Sequence, residues 1–286
     1  MNEREKIYNM MNKHIKMVGL DMDGTLLTSQ KTITDYTKQV IAKAIEQGCY
    51  VLLATGRPVS AIPEHLLHFP GMKYAVTTNG ARIINVETGE CVHECLLSIE
   101  KATKALNILQ DYDTLTEVFV GGIGYTDSVA LEQVEHYVSH PSMADYFRNT
   151  RYPEPDLKGK IKQLGKPLDK LQGVFCDMKQ QAEAIERLRK IPDIEITSAL
   201  GNNLEVNAVG ADKGLGLLKL GEILGIKREE IMACGDGTND SSMLIAAGLG
   251  VAMENAPDCV KEIADYITDT NDEDGVAKAI EKFVLK

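Results

Sequence analysis

Residues 17–27 read MVGLDMDGTLL, an apolar run that leads directly into two carboxylates, Asp21 and Asp23, and then a glycine. The run has the composition of a buried strand that carries both acids to its C-terminal end. Open α/β sheets place their chemistry at that edge. Taken alone, the stretch fits equally well a strand followed by a glycine turn with solvated acids, because a short motif is a weak signal.

Three further segments place polar residues at the end of an apolar run or at the start of one. Strand-like runs end at residues 55–57 (Thr-Gly-Arg) and at residues 235–240 (Gly-Asp-Gly-Thr-Asn-Asp), and residues 212–214 (Asp-Lys-Gly) begin a helix-like stretch. A helix capped by Thr34 and a third strand-like run over residues 74–78 complete a βαβαβ pattern. This order predicts a doubly wound parallel sheet with right-handed crossovers.

The composition limits the classes of function. A chain of 286 residues is long enough for two domains, and its net charge of -11 supplies no basic face for nucleic acid or an anionic membrane. No stretch has the length of a membrane span, and residues 1–16 lack the apolar region of a signal peptide. The six cysteines are scattered like reduced core thiols. We therefore expect a cytoplasmic protein whose N-terminal extension is either a short helix or irregular.

The pattern changes from about residue 85. Helix-like residues 99–110 precede a predicted hairpin over 117–126, further helix-like residues follow, and the proline-bearing residues 151–155 are predicted as a loop. A strand, helix, strand, strand order then occupies residues 173–207. These elements predict an α+β insert. The predicted domains are a core over residues 1–84, of which 1–16 are the extension, the insert over 85–208, and the rest of the core over 209–286.

The four motifs, in this order, resemble those of the haloacid dehalogenase-like (HAD) hydrolase superfamily. Residues 250–256 (GVAMENA) and 273–277 (EDGVA) are similar to its Cof-type sugar-phosphatase branch. The resemblance implies that the insert is a cap domain. It also implies that Asp21 attacks phosphorus and forms an aspartyl-phosphate, while Asp23 acts as general acid and then as general base. The alternative, in which both acids are structural, stays open.

A carboxylate that attacks a dianionic phosphate needs a cation to offset the repulsion, and Mg²⁺ suits this role. The residues expected to bind the metal are Asp21, Asp236 and Asp23, the last through its backbone carbonyl. Asp240 is expected beside this metal site, where it orients the water ligands or Lys213. A cap of the following helix is an equally good explanation for Asp240 but a poor one for Asp236, which precedes Gly237 at the end of a strand-like run. The expected substrate-binding residues are Thr55, Gly56, Arg57, Asn79, Lys213 and Asn239, with Thr55 and Lys213 also taking part in catalysis. A helix cap at Thr55 and a solvated Lys213 are the plain alternatives.

The expected function is that of a Mg²⁺-dependent phosphatase that acts on a small soluble phosphate ester. Sugar phosphates are the substrates that the resemblance implies, and pyridoxal phosphate or flavin mononucleotide fit as well. A phosphomutase uses the same two aspartates and differs only in retaining the phosphoryl group. A metabolite-binding module without catalytic activity is the third alternative.

Overall fold

The computed structural model describes residues 14–198 and 201–285. Residues 1–13, most of the predicted N-terminal extension, lie outside these ranges. No helix within them is long and apolar enough to cross a membrane. The contacts divide the chain into two compact units. The core unit holds the described residues up to Thr55, residues Pro63–His93 and the residues from Asp212 onward, and the inserted unit holds Gly56–Ile62 and Glu94–Ala211.

The strands are β1 (Met17–Leu20), β2 (Tyr50–Ala54), β3 (Tyr74–Thr77), β4 (Arg82–Asn85), β5 (Cys91–Glu94), β6 (Thr114–Val120), β7 (Ile123–Asp127), β8 (Arg151–Glu154), β9 (Lys170–Phe175), β10 (Ile194–Thr197), β11 (Asn203–Ala208), β12 (Ile231–Gly235), β13 (Leu249–Ala252) and β14 (Tyr266–Ile267). The α-helices are α1 (Asp35–Glu46), α2 (Glu64–Leu67), α3 (Ile99–Leu109), α4 (Ser128–Glu132), α5 (Val134–Tyr137), α6 (Pro141–Thr150), α7 (Leu157–Leu164), α8 (Met178–Leu188), α9 (Lys213–Leu224), α10 (Ser241–Ala246), α11 (Asp258–Lys261) and α12 (Gly275–Phe283).

The core unit is built on a sheet whose described strands run in the order β14-β13-β12-β1-β2-β3-β4-β5. Neighbours from β14 to β3 are parallel, and β4 is antiparallel to β3. The fully buried β1 pairs with β2 on one side and with β12 on the other. The strand order reverses at β1, which is where doubly wound folds bind their ligands. The predicted doubly wound α/β core is confirmed.

Two helices follow the sequence signals closely. The Thr34 side chain caps α1 by accepting a hydrogen bond from the backbone N–H of Thr37. The Asp212 side chain caps α9 in the same way through the N–H of Leu215. Gly214 lets α9 approach α10 closely, because a Cβ there would lie 2.4 Å from the carbonyl oxygen of Ser242. The close packing of α9 against α10 fixes the position of Lys213, the first residue of α9.

The inserted unit has its own sheet, with the described strands in the order β10-β11-β9-β6-β7-β8. Its neighbours are antiparallel except for β7 and β8. Buried apolar residues of α3, α7, α8 and the sheet form one hydrophobic cluster. The predicted α+β character of the insert is therefore confirmed.

One local prediction in the insert is wrong. Residues 151–155 were expected to form a loop because of their prolines, but Arg151–Glu154 form β8. The strand tolerates Pro153 because β8 lies at the edge of its sheet, where a missing N–H costs no ladder hydrogen bond.

The division between the units also lies later than the predicted bounds of 85 and 208. The strands β4 and β5 extend the core sheet, so the contacts change unit at Glu94 and again after Ala211.

Candidate active site

Three predicted site residues directly follow parallel strands of the core sheet. Asp21 follows β1, Thr55 follows β2, and Asp236 follows β12. The backbone N–H of Asp21 donates to the carbonyl of Cys234 at 3.0 Å, so the ends of β1 and β12 stay paired up to the first acid. The parallel register thus places these side chains at one edge of the sheet.

Lys213 joins two acids from different motifs. Its Nζ donates to Asp21 Oδ1 at 2.6 Å and to Asp240 Oδ1 at 2.6 Å. The lysine side chain is fully buried, and those of Asp21 and Asp240 are 10% and 1% exposed. Burial opposes the charge of this ammonium, but the two carboxylates raise the pKa of Lys213 above its ordinary value. The structure therefore places a buried cation against Asp21, and the plain alternative of a solvated lysine is wrong.

Asp240 is engaged through both of its oxygens. Besides accepting from Lys213, it accepts the backbone N–H groups of Asp236 at 3.0 Å and Gly237 at 2.8 Å through Oδ2. Gly235 has no room for a side chain, since a Cβ there would lie 2.5 Å from Asp240 Cβ. These contacts support a role for Asp240 in orienting Lys213 and the end of β12, rather than in contacting a metal directly.

Asp236 is held by the turn that follows β1. Thr25 Oγ1 donates to Asp236 Oδ1 at 2.7 Å. Gly24 has a φ of +86°, and a Cβ at this position would lie 2.4 Å from Asp236 Oδ2. Glycine is therefore required both for its backbone conformation and for the close approach. The carbonyl of Gly24 accepts from Asn255 Nδ2 at 2.8 Å, which ties the turn to the segment after β13.

Asp23 differs from the other acids in its exposure. Its Oδ1 accepts from Lys31 Nζ at 2.9 Å, and the two side chains are 39% and 58% exposed, respectively. Exposed ion pairs of this kind contribute little to stability and exchange readily with water. The Asp23 carboxylate can therefore be reached from solvent, unlike those of Asp21 and Asp240.

Burial is the largest cause of the raised pKa values of Asp21 and Asp236. Burial, followed by the charge of Asp240, raises the pKa of Asp21 to about 8, although Lys213 acts in the opposite direction. Burial also raises the pKa of Asp236 to about 6. One carboxylate oxygen from each of Asp21, Asp236 and Asp240 lies within 4.8 Å of the others. Asp21 and Asp236 thus offer oxygen ligands that fit a hard cation such as Mg²⁺, and Asp240 adds negative charge close to them.

These shifts predict how the stability of the metal-free protein depends on pH. Because the pKa of Asp21 is raised from 3.8 in the unfolded chain to about 8 in the folded state, the folded state holds this proton to a higher pH. The folded state thus binds more protons over this window, and the free energy of unfolding falls as the pH rises. One group contributes at most about 1.4 kcal/mol per pH unit. Urea denaturation in chelator at pH 5 to 8 should show this slope, and Asp21→Asn should reduce it. An unchanged slope in the variant would contradict the assignment.

Two more predicted residues lie beside the same strand ends. The backbone N–H of Asn79 donates to the carbonyl of Thr55 at 3.1 Å, and both residues are buried. Asn79 has a φ of 54° inside the short 3₁₀ helix Thr78–Gly80. A left-handed conformation at a residue other than glycine is unusual and is often found at functional sites. Asn239 lies in the 3₁₀ helix Thr238–Asp240, directly before Asp240.

Gly56 and Arg57 have other surroundings. Both belong to the inserted unit, where the carbonyl of Gly56 accepts from Lys170 Nζ at 3.0 Å. The Arg57 guanidinium lies 4.6 Å from the ring centroid of Tyr146 and donates to the carbonyl of Ala61 at 3.2 Å. A phosphate-binding role for these two residues stays a prediction.

The model of haloacid dehalogenase-like hydrolases matches residues 18–280. The 5-amino-6-(5-phospho-D-ribitylamino)uracil phosphatase YcsE of Bacillus subtilis (strain 168) is 34% identical over 277 residues, which cover 95% of this chain and 96% of that protein.

Two solved structures share the fold over nearly their whole length. A haloacid dehalogenase-like hydrolase from Bacteroides thetaiotaomicron has a TM-score of 0.79 and 34% identity, covering 94% of this chain and 99% of that chain. The HAD subclass IIB sugar phosphatase BT4131 has a TM-score of 0.78 and 25% identity, covering 95% and 100%. Together with the acids and the lysine at the strand ends, these matches show that the chain belongs to the haloacid dehalogenase-like hydrolases and is a phosphomonoester hydrolase of the Cof type.

Proposed function

We propose that the protein is a Mg²⁺-dependent phosphatase that hydrolyses a small phosphorylated metabolite through an aspartyl-phosphate on Asp21. The observation that carries this proposal is the buried Lys213, which holds Asp21 Oδ1 and Asp240 Oδ1 at 2.6 Å each. With Oδ1 bound to the lysine, Oδ2 of Asp21 is the oxygen that attacks.

In the first half of the reaction, Asp21 attacks phosphorus and the bond from phosphorus to the ester oxygen breaks. Asp23 donates a proton to the departing alkoxide, which leaves as an alcohol. Lys213 offsets negative charge beside the attacking oxygen, and the donors of Thr55 and Asn239 bind phosphoryl oxygens.

In the second half, Asp23 accepts a proton from water as the water oxygen attacks phosphorus. The bond from phosphorus to Asp21 breaks, which releases inorganic phosphate, regenerates the Asp21 carboxylate and leaves Asp23 protonated for the next cycle. Asp21, Asp236 and the backbone carbonyl of Asp23 would hold Mg²⁺, which supplies positive charge to the phosphoryl oxygens when bound. Because Asp240 already binds Lys213 and two backbone N–H groups, its part is to keep the lysine and Asp236 in position.

Changing Asp23 to Asn should have an effect that depends on the leaving group. We expect the first step to slow by about 10²–10⁴-fold with a sugar phosphate, since its alkoxide needs a proton in order to leave. An aryl ester with a good leaving group should lose much less in this step. Release of the alcohol in a single turnover measures the first-step rate for each of the two esters. Lys31→Met serves as the control, because it removes the ion pair with Asp23 and leaves the carboxylate in place. Equal losses for the two esters would exclude Asp23 as the acid.

The names of two relatives support a proposal for the substrate class. Their names specify a ribityl phosphate and sugar phosphates, which are monoesters of small polyhydroxylated alcohols. We propose substrates of this class, with pyridoxal phosphate and flavin mononucleotide as further members of the test set. Phosphate release from such a panel, with and without Mg²⁺, tests the proposal. Release from no member and from no activated ester would contradict it, and transfer of phosphate within the substrate without release would indicate a mutase.

We further propose that the insert is a cap that sets specificity, because Asp21, Asp23, Lys213 and Asp236 all lie in the core unit. Replacing residues 94–211 by the matching segment of a relative with a different substrate ranking should transfer that ranking. Mg²⁺-dependent hydrolysis of an activated aryl ester should meanwhile stay within about tenfold of the original rate. A folded chimera that keeps the ranking of the original chain would contradict this division.

A further inference from the structure

We propose that Asp113, His136 and Cys176 form a zinc-binding site at one end of the sheet of the inserted unit. These three residues take no part in the proposed phosphatase reaction. Their ligand atoms, one from each side chain, all lie within 4.8 Å of one another. The proposal rests on where the fold places them, on their contacts and on the chemistry of the three donors.

The sheet itself brings two of the donors together. Asp113 directly precedes β6 and Cys176 directly follows β9, and these strands are antiparallel with Thr114 opposite Phe175. Continuing the register by one step puts Asp113 opposite Cys176. Residues opposite each other in an antiparallel pair project to the same side of the sheet. The pairing of β6 with β9 therefore sets the spacing of the carboxylate and the thiol.

The third donor comes from α5. His136 Nε2 lies 3.0 Å from Asp113 Oδ2, and Cys176 Sγ donates to the backbone carbonyl of His136 at 3.1 Å. Tyr137, the next residue, donates through its hydroxyl to Asp113 Oδ1 at 2.8 Å. The tyrosine thus orients the carboxylate so that its second oxygen faces the histidine, as outer hydrogen bonds do in metal sites.

The distances fit a tetrahedral zinc ion after small side-chain rotations. Zinc bonds of about 2.0–2.3 Å place neighbouring ligand atoms roughly 3.3–3.6 Å apart. The present separations, all within 4.8 Å, thus need to change by at most about 1.5 Å. The side chains of His136 and Asp113 are about half exposed, at 52% and 55%, which leaves space for water as a fourth ligand.

The chemistry of the donors selects the metal. Imidazole nitrogen, thiolate sulfur and carboxylate oxygen together favour zinc, whereas Mg²⁺ and Ca²⁺ take oxygen ligands. Hydrogen bonds from His136 and Tyr137 lower the pKa of Asp113, so this ligand is ionised at neutral pH. Burial and the charge of Asp113 raise the pKa of the Cys176 thiol, so binding has to release a proton from it.

The site would join three segments of the inserted unit that are far apart in sequence. A bound ion would tie α5 to the ends of β6 and β9. The site is also independent of the proposed phosphatase mechanism, because its residues belong to the inserted unit and the acids of that mechanism to the core unit.

Titration of the full chain with Co²⁺ tests the proposal, since cobalt replaces zinc and reports a bound thiolate by a charge-transfer absorption. Excess Mg²⁺ is present to occupy the oxygen site of the core unit. We expect one equivalent of Co²⁺ to give the thiolate band and Zn²⁺ to remove it. Cys176→Ser should abolish the band, and His136→Gln should weaken Co²⁺ binding by at least about tenfold.

Cys259→Ser is the matched control, because Cys259 is also exposed but belongs to no such cluster among the described residues. This variant should keep the band and the affinity. Unchanged Mg²⁺-dependent ester hydrolysis shows that each variant is folded. The proposal is overturned if the original chain gives no thiolate band, or if the band persists in Cys176→Ser.

Discussion

Asp21→Asn is expected to lower turnover by at least about 10⁴-fold while the protein remains folded. The amide has the shape of the carboxylate but cannot attack phosphorus. Its oxygen can still accept from Lys213 Nζ, which lies 2.6 Å from Asp21 Oδ1 in the present structure. Asp240 still neutralises the buried ammonium, so the variant leaves no uncompensated cation in the interior.

Steady-state kinetics with an activated ester measure the loss, and circular dichroism with thermal unfolding checks the fold. Asp35→Asn is a suitable control, because the side chain of Asp35 is 89% exposed and pairs with a neighbouring lysine of α1. Turnover in Asp21→Asn within tenfold of the original would remove Asp21 from the role of nucleophile.

Removal of Mg²⁺ is expected to cost at least about 10³-fold in turnover, since a bound cation is worth several kcal/mol at a developing phosphoryl charge. Asp21, Asp236 and Asp240 form a cluster of three carboxylates, of which Asp21 and Asp240 pair with Lys213. Adding Mg²⁺ back after chelation should restore activity in full. Full activity in the continued presence of chelator would contradict the metal assignment.

Ca²⁺ is expected to inhibit the Mg²⁺-loaded enzyme. It takes six to eight ligands at about 2.3–2.6 Å and so favours binding both oxygens of one carboxylate. Such binding at Asp21 would occupy the oxygen that has to attack.

Asp236→Asn should raise the Mg²⁺ concentration needed for half-maximal activity by about tenfold or more, again with Asp35→Asn as control. An Asp236→Asn variant with unchanged Mg²⁺ dependence would exclude Asp236 as a ligand.

The core fold could be predicted from sequence because each of its signals is local and strong. The buried run before Asp21, the cap at Thr34 and the onset of a helix at Lys213 all lie where the patterns indicate. Because the strands are parallel, the residues that directly follow them lie at the same edge of the sheet. The proximity of Asp21, Asp236 and Lys213 is a consequence of that topology.

Other features depend on contacts that no local pattern reveals. Pro153 indicates a loop unless it is known that β8 is an edge strand, and the sheet order is a property of the whole inserted unit. The contacts of Thr25 with Asp236 and of Asn255 with Gly24 join segments more than two hundred residues apart. Thr25 lies in the GT that follows Asp23, and Asn255 lies in GVAMENA. The sequence shows these motifs, but it does not show which distant residues Thr25 and Asn255 contact.

The function of Asp240 illustrates the same limit. From sequence, Asp240 fits equally well a cap of the following helix and a residue beside the metal site that orients its water ligands or Lys213. The structure narrows this choice, because Lys213 and the N–H groups of Asp236 and Gly237 engage both of its oxygens. Only the folded structure shows that Asp240 binds Lys213 and the backbone at the end of β12.

Chemical trapping of the phosphorylated enzyme tests the central claim most directly. Borohydride reduces an acyl phosphate to an alcohol, which converts a phosphorylated aspartate into homoserine. The Asp23→Asn variant is mixed with an activated ester and Mg²⁺, quenched with borohydride and digested, and the peptide that contains Asp21 is sequenced by mass spectrometry. The variant is chosen because the loss of the base in the second step lets the intermediate accumulate. We predict homoserine at position 21, formed only when ester and Mg²⁺ are both present. Release of the alcohol without homoserine at position 21, or with homoserine at another aspartate, would contradict the account.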